Sequence, residues 1–298
     1  MFTNLPPACC LPVILRSKMK KKNLLFLLLF ALSTGLLLWQ RPFIQEDCLG
    51  GDLFTIQEFG QFKNPLIKES SGLCADGTGN YLTHNDDTDS CLYRIDRKGN
   101  DLGCVCIPAN NTDWEELCRS NDGRFFIGDF GNNLNQRKDL QILILDPTFA
   151  LSGRIQFSFE DQKSWPPLHP FAMDFDCEAL VFHQDSLWLF TKNKDRKSGM
   201  VYVLPAKPGR YVARKCGEVR VQGTITAASL RPDGKELALL VYRKIYFFSL
   251  RNGLRQLASP DICLNAPLVR QSEAICYINN DRLLLSNEQG QLFLVKRK

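Results

Sequence analysis

An all-β fold built from repeated four-stranded antiparallel sheets is what this 298-residue sequence predicts. Three observations predict it. One outline recurs along the chain, at SSGLCADGTGNYLTHND (70–86), DWEELCRSNDGRFFIGDFGNN (113–133), DFDCEALVFHQDSLWLFTKN (174–193), TAASLRPDGKELALLVYRK (226–244) and QSEAICYINNDRLLLSNEQG (271–290). The apolar runs inside each copy are short, as strands are and helices are not. The turns between the first two runs carry Asp-Gly, Asp-Ser or Asn-Asp pairs, which favour hairpins.

The chain before the repeats reads differently. Of its 37 basic residues, Arg16, Lys18, Lys20, Lys21, Lys22 and Arg41 lie in residues 1–41, with no acid among them. Residues 1–22 therefore read as a basic cytoplasmic N-terminus. Residues 23–40 read as one transmembrane or signal helix. NLLFLLLFALSTGLLLW (23–39) is apolar enough to enter a bilayer, near the lower length limit for a span. Positive charge stays cytoplasmic, so the chain beyond Arg41 is expected to be translocated. Met19, followed by three lysines, has the look of a natural start site. The run lacks a small-x-small cleavage site and ends in Trp39-Gln40-Arg41, an interface edge, which favours an uncleaved signal-anchor over a cleaved signal peptide. The expected location is the cell membrane, single-pass, with the remainder periplasmic or on the cell surface. Cleavage would make it secreted. QEDCLG (45–50) lacks the residues that precede a lipidated cysteine.

Beyond residue 41, 31 basic residues face 32 acidic ones, a balance without the electrostatic footprint of a nucleic-acid binder. Residues 45–298 are expected to form one repeat domain. Each copy begins with a short strand such as EALVF (178–182) and crosses a turn to a strongly apolar strand such as LWLFTKN (187–193). A third strand follows, such as VYVLP (201–205), and then a more polar fourth: DLGCVCIP (101–108), RIQFSFED (154–161), EVRVQG (218–223) or LRQLAS (254–259). Four strands per unit at a period of about 40–50 residues is the signature of a β-propeller. The last copy lacks a fourth strand, and DLFTIQEFG (52–60) is expected to supply it and close the ring. This count gives five blades. Six is the alternative, if residues 134–178 hold a degenerate blade. KSWPPLHPF (163–171) is an insert, read either as a loop shading one mouth or as a surface excursion.

Ten cysteines follow the apolar run, which in an oxidising compartment invites disulfides. Cys74, Cys118 and Cys276 fall at one repeat position that Val181 and Leu230 fill elsewhere, so packing as small hydrophobes is the expectation for most of them.

The order of SSGL (70–73), LTHNDDTDSCLYRID (82–96), DWEEL (113–117), IGDFGNN (127–133), DCEAL (176–180), LFTKN (189–193) and TAASLRPDG (226–234) resembles bacterial extracytoplasmic propellers of the esterase-like phytase-type and SdiA-regulated-type families. The likeness covers most of the chain after residue 65. It implies the propeller fold and a location outside the cytoplasm.

In a propeller the first strand of each blade lines the central channel, so residues at its start gather at one mouth. Alignment on the repeat position puts Glu115, Glu178 and Glu273 together there, with Ser71 and Ala227 in the other copies and Glu69 two residues before Ser71. The ends of the second strands add His84, Asn85, Asp86, Asp129, Asn193, Arg243 and Asn287. Converging carboxylates stay ionised only against a cation or basic groups such as Lys192 and Arg243. Hard oxygen donors suit Ca²⁺, with Glu69, Glu115, Glu178, Glu273, Asn193 and Asn287 as candidate ligands. The competing reading makes the repeated acids strand caps or partners for neighbouring backbone. His84, Asp86 and Asp129 are the candidates for acid–base work, a solvated loop histidine being the plainer reading of His84. Asn85, Lys192 and Arg243 are candidate ligand contacts. No serine sits in a GxSxG elbow. The expected function is a membrane-anchored propeller binding a small molecule, glycan or protein at its channel mouth, around Ca²⁺. The alternatives are a metal-assisted hydrolase of phosphoesters, esters or lactones, and a structural or assembly protein.

Overall fold

Near-continuous apolar runs such as ELALLV and FFIGD make strands that are buried on both faces. In the computed structural model, which describes residues 48–168, 174–192, 198–257 and 259–298, they do so. The described residues form one compact unit, Cys48–Lys298. The first sheet holds β2 (Ser70–Ala75), β3 (Tyr81–Asn85), β4 (Cys91–Ile95) and β5 (Asp101–Cys106) in chain order. β6 (Trp114–Arg119), β7 (Phe125–Asp129), β8 (Gln141–Leu145) and β9 (Leu151–Phe159) form a second meander. β10 (Cys177–His183), β11 (Ser186–Thr191), β12 (Ser198–Pro205) and β13 (Gly209–Arg220) form a third. β14 (Ile225–Leu230), β15 (Glu236–Val241), β16 (Lys244–Ser249) and β17 (Ile262–Asn265) make another sheet. The last consists of β18 (Ser272–Asn279), β19 (Arg282–Asn287) and β20 (Gln291–Arg297), completed by β1 (Phe54–Gln61) from the start of the unit. The fold is all-β and propeller-like.

Alternation explains the packing. Along β7, Phe125 and Ile127 face the first sheet, whereas Phe126 faces the third meander. Along β15, Leu237, Leu239 and Val241 pack toward the third meander, and Ala238 and Leu240 toward the last sheet. Side chains thus leave each strand on both faces, and each face is covered by the neighbouring sheet. The clusters form a closed circuit, because Leu73, Tyr81 and Tyr93 of the first sheet pack on Cys276, Leu284 and Leu292 of the last. β2, β6, β10, β14 and β18 adjoin one another in turn around the axis, β18 returning to β2.

The expectation that 52–60 closes the ring matches the pairing of β1 with β20, from Phe54 opposite Arg297 to Gln61 opposite Gln291. Asp76-Gly77, Asp122-Gly123 and Asp233-Gly234 are turns with positive glycine φ (88°, 91° and 69°). Two expectations shift. LRQLAS is not an outer strand. Leu254 and Leu257 both pack into the core from a short 3-10 turn (Leu254–Gln256), a spacing that suits one helical turn, and β17 takes the outer place instead. Of EVRVQG, only Glu218-Val219-Arg220 is strand, the end of β13. That strand begins at Gly209 and pairs in parallel with β9, joining the second and third meanders into one eight-stranded sheet. Among the cysteines, Cys48–Cys263 and Cys91–Cys106 are disulfides, the latter between directly opposed residues of β4 and β5. The other six cysteines after the apolar run are free. Residues 1–22 and 23–40 lie outside the described residues, among which no helix is long and apolar enough to cross a membrane.

Candidate functional site

Every strand on the axis carries one register irregularity near its start, between Ser71 and Leu73, Trp114 and Glu116, Cys177 and Ala179, Ile225 and Ala227, and Ser272 and Ala274. In four of them the residue left out of the pairing is Glu115, Glu178, Thr226 or Glu273. A bulge re-aims its extra side chain, and here it turns carboxylates into the mouth. Thr226, not Ala227, takes the equivalent place in β14. Its partner strand shows this, since Ser229 opposes Ala238 as Val181 opposes Trp188, so Ser229 rather than Leu230 is the repeat position. In β2 the residue left out is Gly72 (φ 74°). A Cβ there would sit 2.6 Å from His84 Nε2, so no side chain fits.

The two hydroxyl positions satisfy neighbouring backbone. Ser71 Oγ donates to the Glu115 carbonyl at 2.8 Å, and Thr226 Oγ1 to the Ser272 carbonyl at 2.7 Å. The glutamates have ionisable partners. Lys192 Nζ lies 2.8 Å from Glu178 Oε1 and 4.0 Å from Asp176 Oδ2, while Tyr242 donates its hydroxyl to Glu273 Oε1 at 2.7 Å. Asp86, Asp113 and Glu115 each offer one carboxylate oxygen within 4.8 Å of the other two. Asp86 follows β3 and Asp113 precedes β6, so two neighbouring sheets supply the group. Asp86 Oδ1 is buried without a hydrogen-bond partner. Gly131 leaves the space, since a Cβ there would collide with the Asp113 and Glu115 carboxylates.

This crowding alters protonation. Burial, the hydrogen bond with Asp113 and the charges of Asp113, Asp87 and Glu69 push Asp86 up to about 8. Burial also raises Asp113, and raises Glu115 strongly together with Glu178, Asp86 and Asp113. Glu178 is raised by burial and Asp176, against the pull of Lys192. Glu273 is pushed up to about 7, mainly by burial. Burial works against the Lys192 charge, but Glu178 and Asp176 outweigh it and raise its pKa, so the ammonium stays charged.

The other expected site residues fall elsewhere. His84 is fully buried, edge-on to Trp114 with ring centroids 5.6 Å apart, and burial lowers it to about 4. It is a neutral core group, not an accessible base, because the bulge at Gly72 packs against it. Asp129 is also fully buried. It is bound by Arg137 at 3.0 Å and accepts from Gln141 Nε2 at 2.8 Å and the Asp113 N–H at 3.2 Å, which makes it a positioning group for Asp113. Asn85 spends its amide on the Lys68 and Glu69 N–H groups, the Leu66 carbonyl and Asp89. Asn287 is paired with Gln291. Both are turn staples rather than ligands. Arg243 is exposed in the tight turn between β15 and β16. Glu69 is exposed, its charge acting on Asp86 and Glu288. Asn193 lies outside the described residues.

Sequence reasoning missed Asp113, Asp176 and Glu116. The first two stand two residues before a bulged glutamate, in DWE and DCE, and that spacing is a usable signal. Glu116, 1% exposed, turns the other way. Its carboxylate accepts the Leu117 and Ala228 N–H groups at 3.0 Å each, and the Leu73 N–H as well, tying β6 to β14 across the axis and to β2. A cavity of about 770 Å³ opens at the opposite mouth, with Leu117, Val181, Ala228 and Tyr277 in its walls beside Cys74, Cys118 and Cys276. It holds none of the clustered carboxylates.

The chain matches no family model, and no curated protein, so the family resemblance stands as a likeness of motifs. Among solved structures it is similar to a protein assigned as a gluconolactonase (11% identity, TM-score 0.47, covering 77% of this chain and 74% of that one). It is also similar to the PQQ-bound aldose sugar dehydrogenase of Streptomyces coelicolor (10%, 0.48, 82% and 98%) and to virginiamycin B lyase of Staphylococcus aureus (12%, 0.41, 80% and 69%). At these values the fold reading rests on the strand topology of the chain itself.

Proposed function

We propose that the chain is a five-bladed propeller, displayed outside the cytoplasm, that binds Ca²⁺ at its acidic mouth and holds an oxygen-rich ligand against the ion and Lys192. The Asp86–Asp113–Glu115 group carries this reading. Three carboxylates this close cannot all ionise at neutral pH without a cation, and their hard oxygens suit Ca²⁺. Glu178 and Glu273, engaged by Lys192 and Tyr242, flank the ion rather than ligate it. The blade count is supported by the closed circuit of clusters, and the compartment by the two disulfides and the apolar N-terminal run.

The test is the melting temperature in EDTA and then with excess Ca²⁺. A calcium-dependent rise is expected in the wild type and not in Asp86→Asn/Glu115→Gln. An equal rise in both, or none at millimolar Ca²⁺, would sink the reading. A second reading, metal-assisted hydrolysis of phosphoesters, esters or lactones, is favoured by Glu273, which titrates near neutrality beside Tyr242 and suits an acid–base role. Calcium-dependent turnover abolished by Glu273→Gln would select it over binding alone.

A further inference from the structure

Strands on the axis begin at the acidic mouth and their partner strands end there. The loops entering the former and leaving the latter therefore share one face of the ring. Four large apolar side chains stand out from those loops: Leu66 (56% exposed), Leu134 (65%), Leu168 (95%) and Leu268 (61%). Among the described residues, the other exposed large hydrophobics are Leu102 on β5, Val212 on β13 and Leu53 just before β1. Single exposed leucines are ordinary. Four from four different loops of one face are another matter, because they put apolar tips around the same mouth.

Each leucine also has an exposed cation close by in its own loop: Lys63 and Lys68 around Leu66, Lys138 after Leu134, Lys163 before Leu168, and Arg270 after Leu268. Apolar tips with flanking basic residues are the chemistry of a bilayer interface, where the tip enters the acyl boundary and the ammonium or guanidinium meets headgroup phosphate. The clustered acids do not oppose this. Glu115 and Glu178 are recessed, at 7% and 2% exposure, and the exposed acids Glu69 and Asp87 act on Asp86 and so belong to the mouth. The exposed acids of the leucine loops have partners of their own, Asp139 pairing with Arg137 at 3.2 Å and Glu160 accepting the Lys215 N–H at 2.9 Å.

We propose that the mouth face docks on a bilayer surface carrying anionic headgroups. The chain itself favours this occupant. Eight residues separate the apolar run ending at Trp39 from Cys48, a reach of at most about 30 Å. Cys48 is bonded to Cys263, two residues from the mouth end of β17. A tether that short makes docking an intramolecular event, so weak loop contacts suffice.

The test is hydrogen exchange of the full chain in nanodiscs of phosphatidylcholine with phosphatidylglycerol, compared with detergent micelles. The expected result is slower exchange on the disc at loops 62–69, 130–140, 160–168 and 266–271, with turns 76–80, 120–124 and 231–235 of the opposite face unchanged. That protection should be lost in Leu66→Ser/Leu134→Ser/Leu168→Ser/Leu268→Ser, the opposite turns reporting an intact fold. Equal exchange in both media, protection on the opposite face, or protection retained in the variant would overturn the proposal. So would protection that grows with protein concentration in micelles, which would mean a second copy covers the face. If the apolar run is removed in the mature chain, flotation with the same vesicles reads the same surface, binding by wild type and not by the variant being expected. Absence of binding by that mature chain would count against it.

Discussion

Lys192 is a cation set among the clustered acids, and its removal isolates what it compensates. Its partner Glu178 is 2% exposed, and leaving one member of such a pair alone costs about 3 kcal/mol. Lys192→Met is expected to destabilise by about that much at neutral pH in urea unfolding, and Glu178→Gln in the same chain should recover most of it. A cost unchanged by the second substitution would mean that Lys192 acts through packing alone. Protons supply the second residue-level expectation. Asp86 and Glu273 titrate at about 8 and about 7 in the folded chain, above the unfolded values of roughly 3.9 and 4.3. The native state therefore binds more protons than the unfolded state between those limits, and stability falls as pH rises through the window. In EDTA the melting temperature should decline from pH 5 to pH 8. Saturating Ca²⁺, which replaces the Asp86 proton, should flatten that slope, and binding should release protons measurably in weak buffer. An EDTA profile that rises over this range would refute the assignment.

At the scale of elements, the bulge and the residue beside it divide the labour. Glu115 turns to the mouth and Glu116 to the axis, where it takes N–H groups from three axial strands. Glu116→Ala leaves those donors buried and unpaired, so a loss of about 3 kcal/mol is expected. A loss well under about 1 kcal/mol would mean that water reaches them. The repeat position beside it obeys a similar rule. Ser229 accepts the Tyr277 N–H at 3.0 Å, and Cys276 and Cys118 receive N–H groups from Ala75 and Phe182 of the next axial strand. Small side chains with a lone pair thus link neighbouring sheets, which explains why Cys recurs here without forming disulfides. Their spacing was visible in the sequence. Their acceptor role was not, because the donor belongs to another sheet.

At the scale of the molecule, closure is the decisive contact. β1 covers the edge of β20, Phe54 stacks on Phe247 with centroids 4.7 Å apart, and the Cys48–Cys263 disulfide fastens the entering chain to β17. Deleting residues 48–61 uncovers β20 and unfastens the ring. The expected result is a broad, non-cooperative urea transition with self-association in gel filtration. A sharp transition at unchanged midpoint would show that the ring holds without its clasp.

The sequence by itself determined the inner three strands of each sheet, the Asp-Gly turns, the closing strand and the glutamates at positions 115, 178 and 273, but not β17 or the start of β13. All of these arise from local alternation and repetition, which a chain carries residue by residue. Only the tertiary structure decided which acids meet. Asp86 and Asp113 are brought together because β3 of one sheet ends beside the start of β6 in the next, and Thr226 replaces Ala227 because a bulge moves the register by one. His84 and Asp129 read as site residues and are buried instead, since whether a polar strand end faces water or the neighbouring sheet depends on packing across sheets. Glu116, indistinguishable from Glu115 in a doubled acid, differs only in the direction its strand turns it.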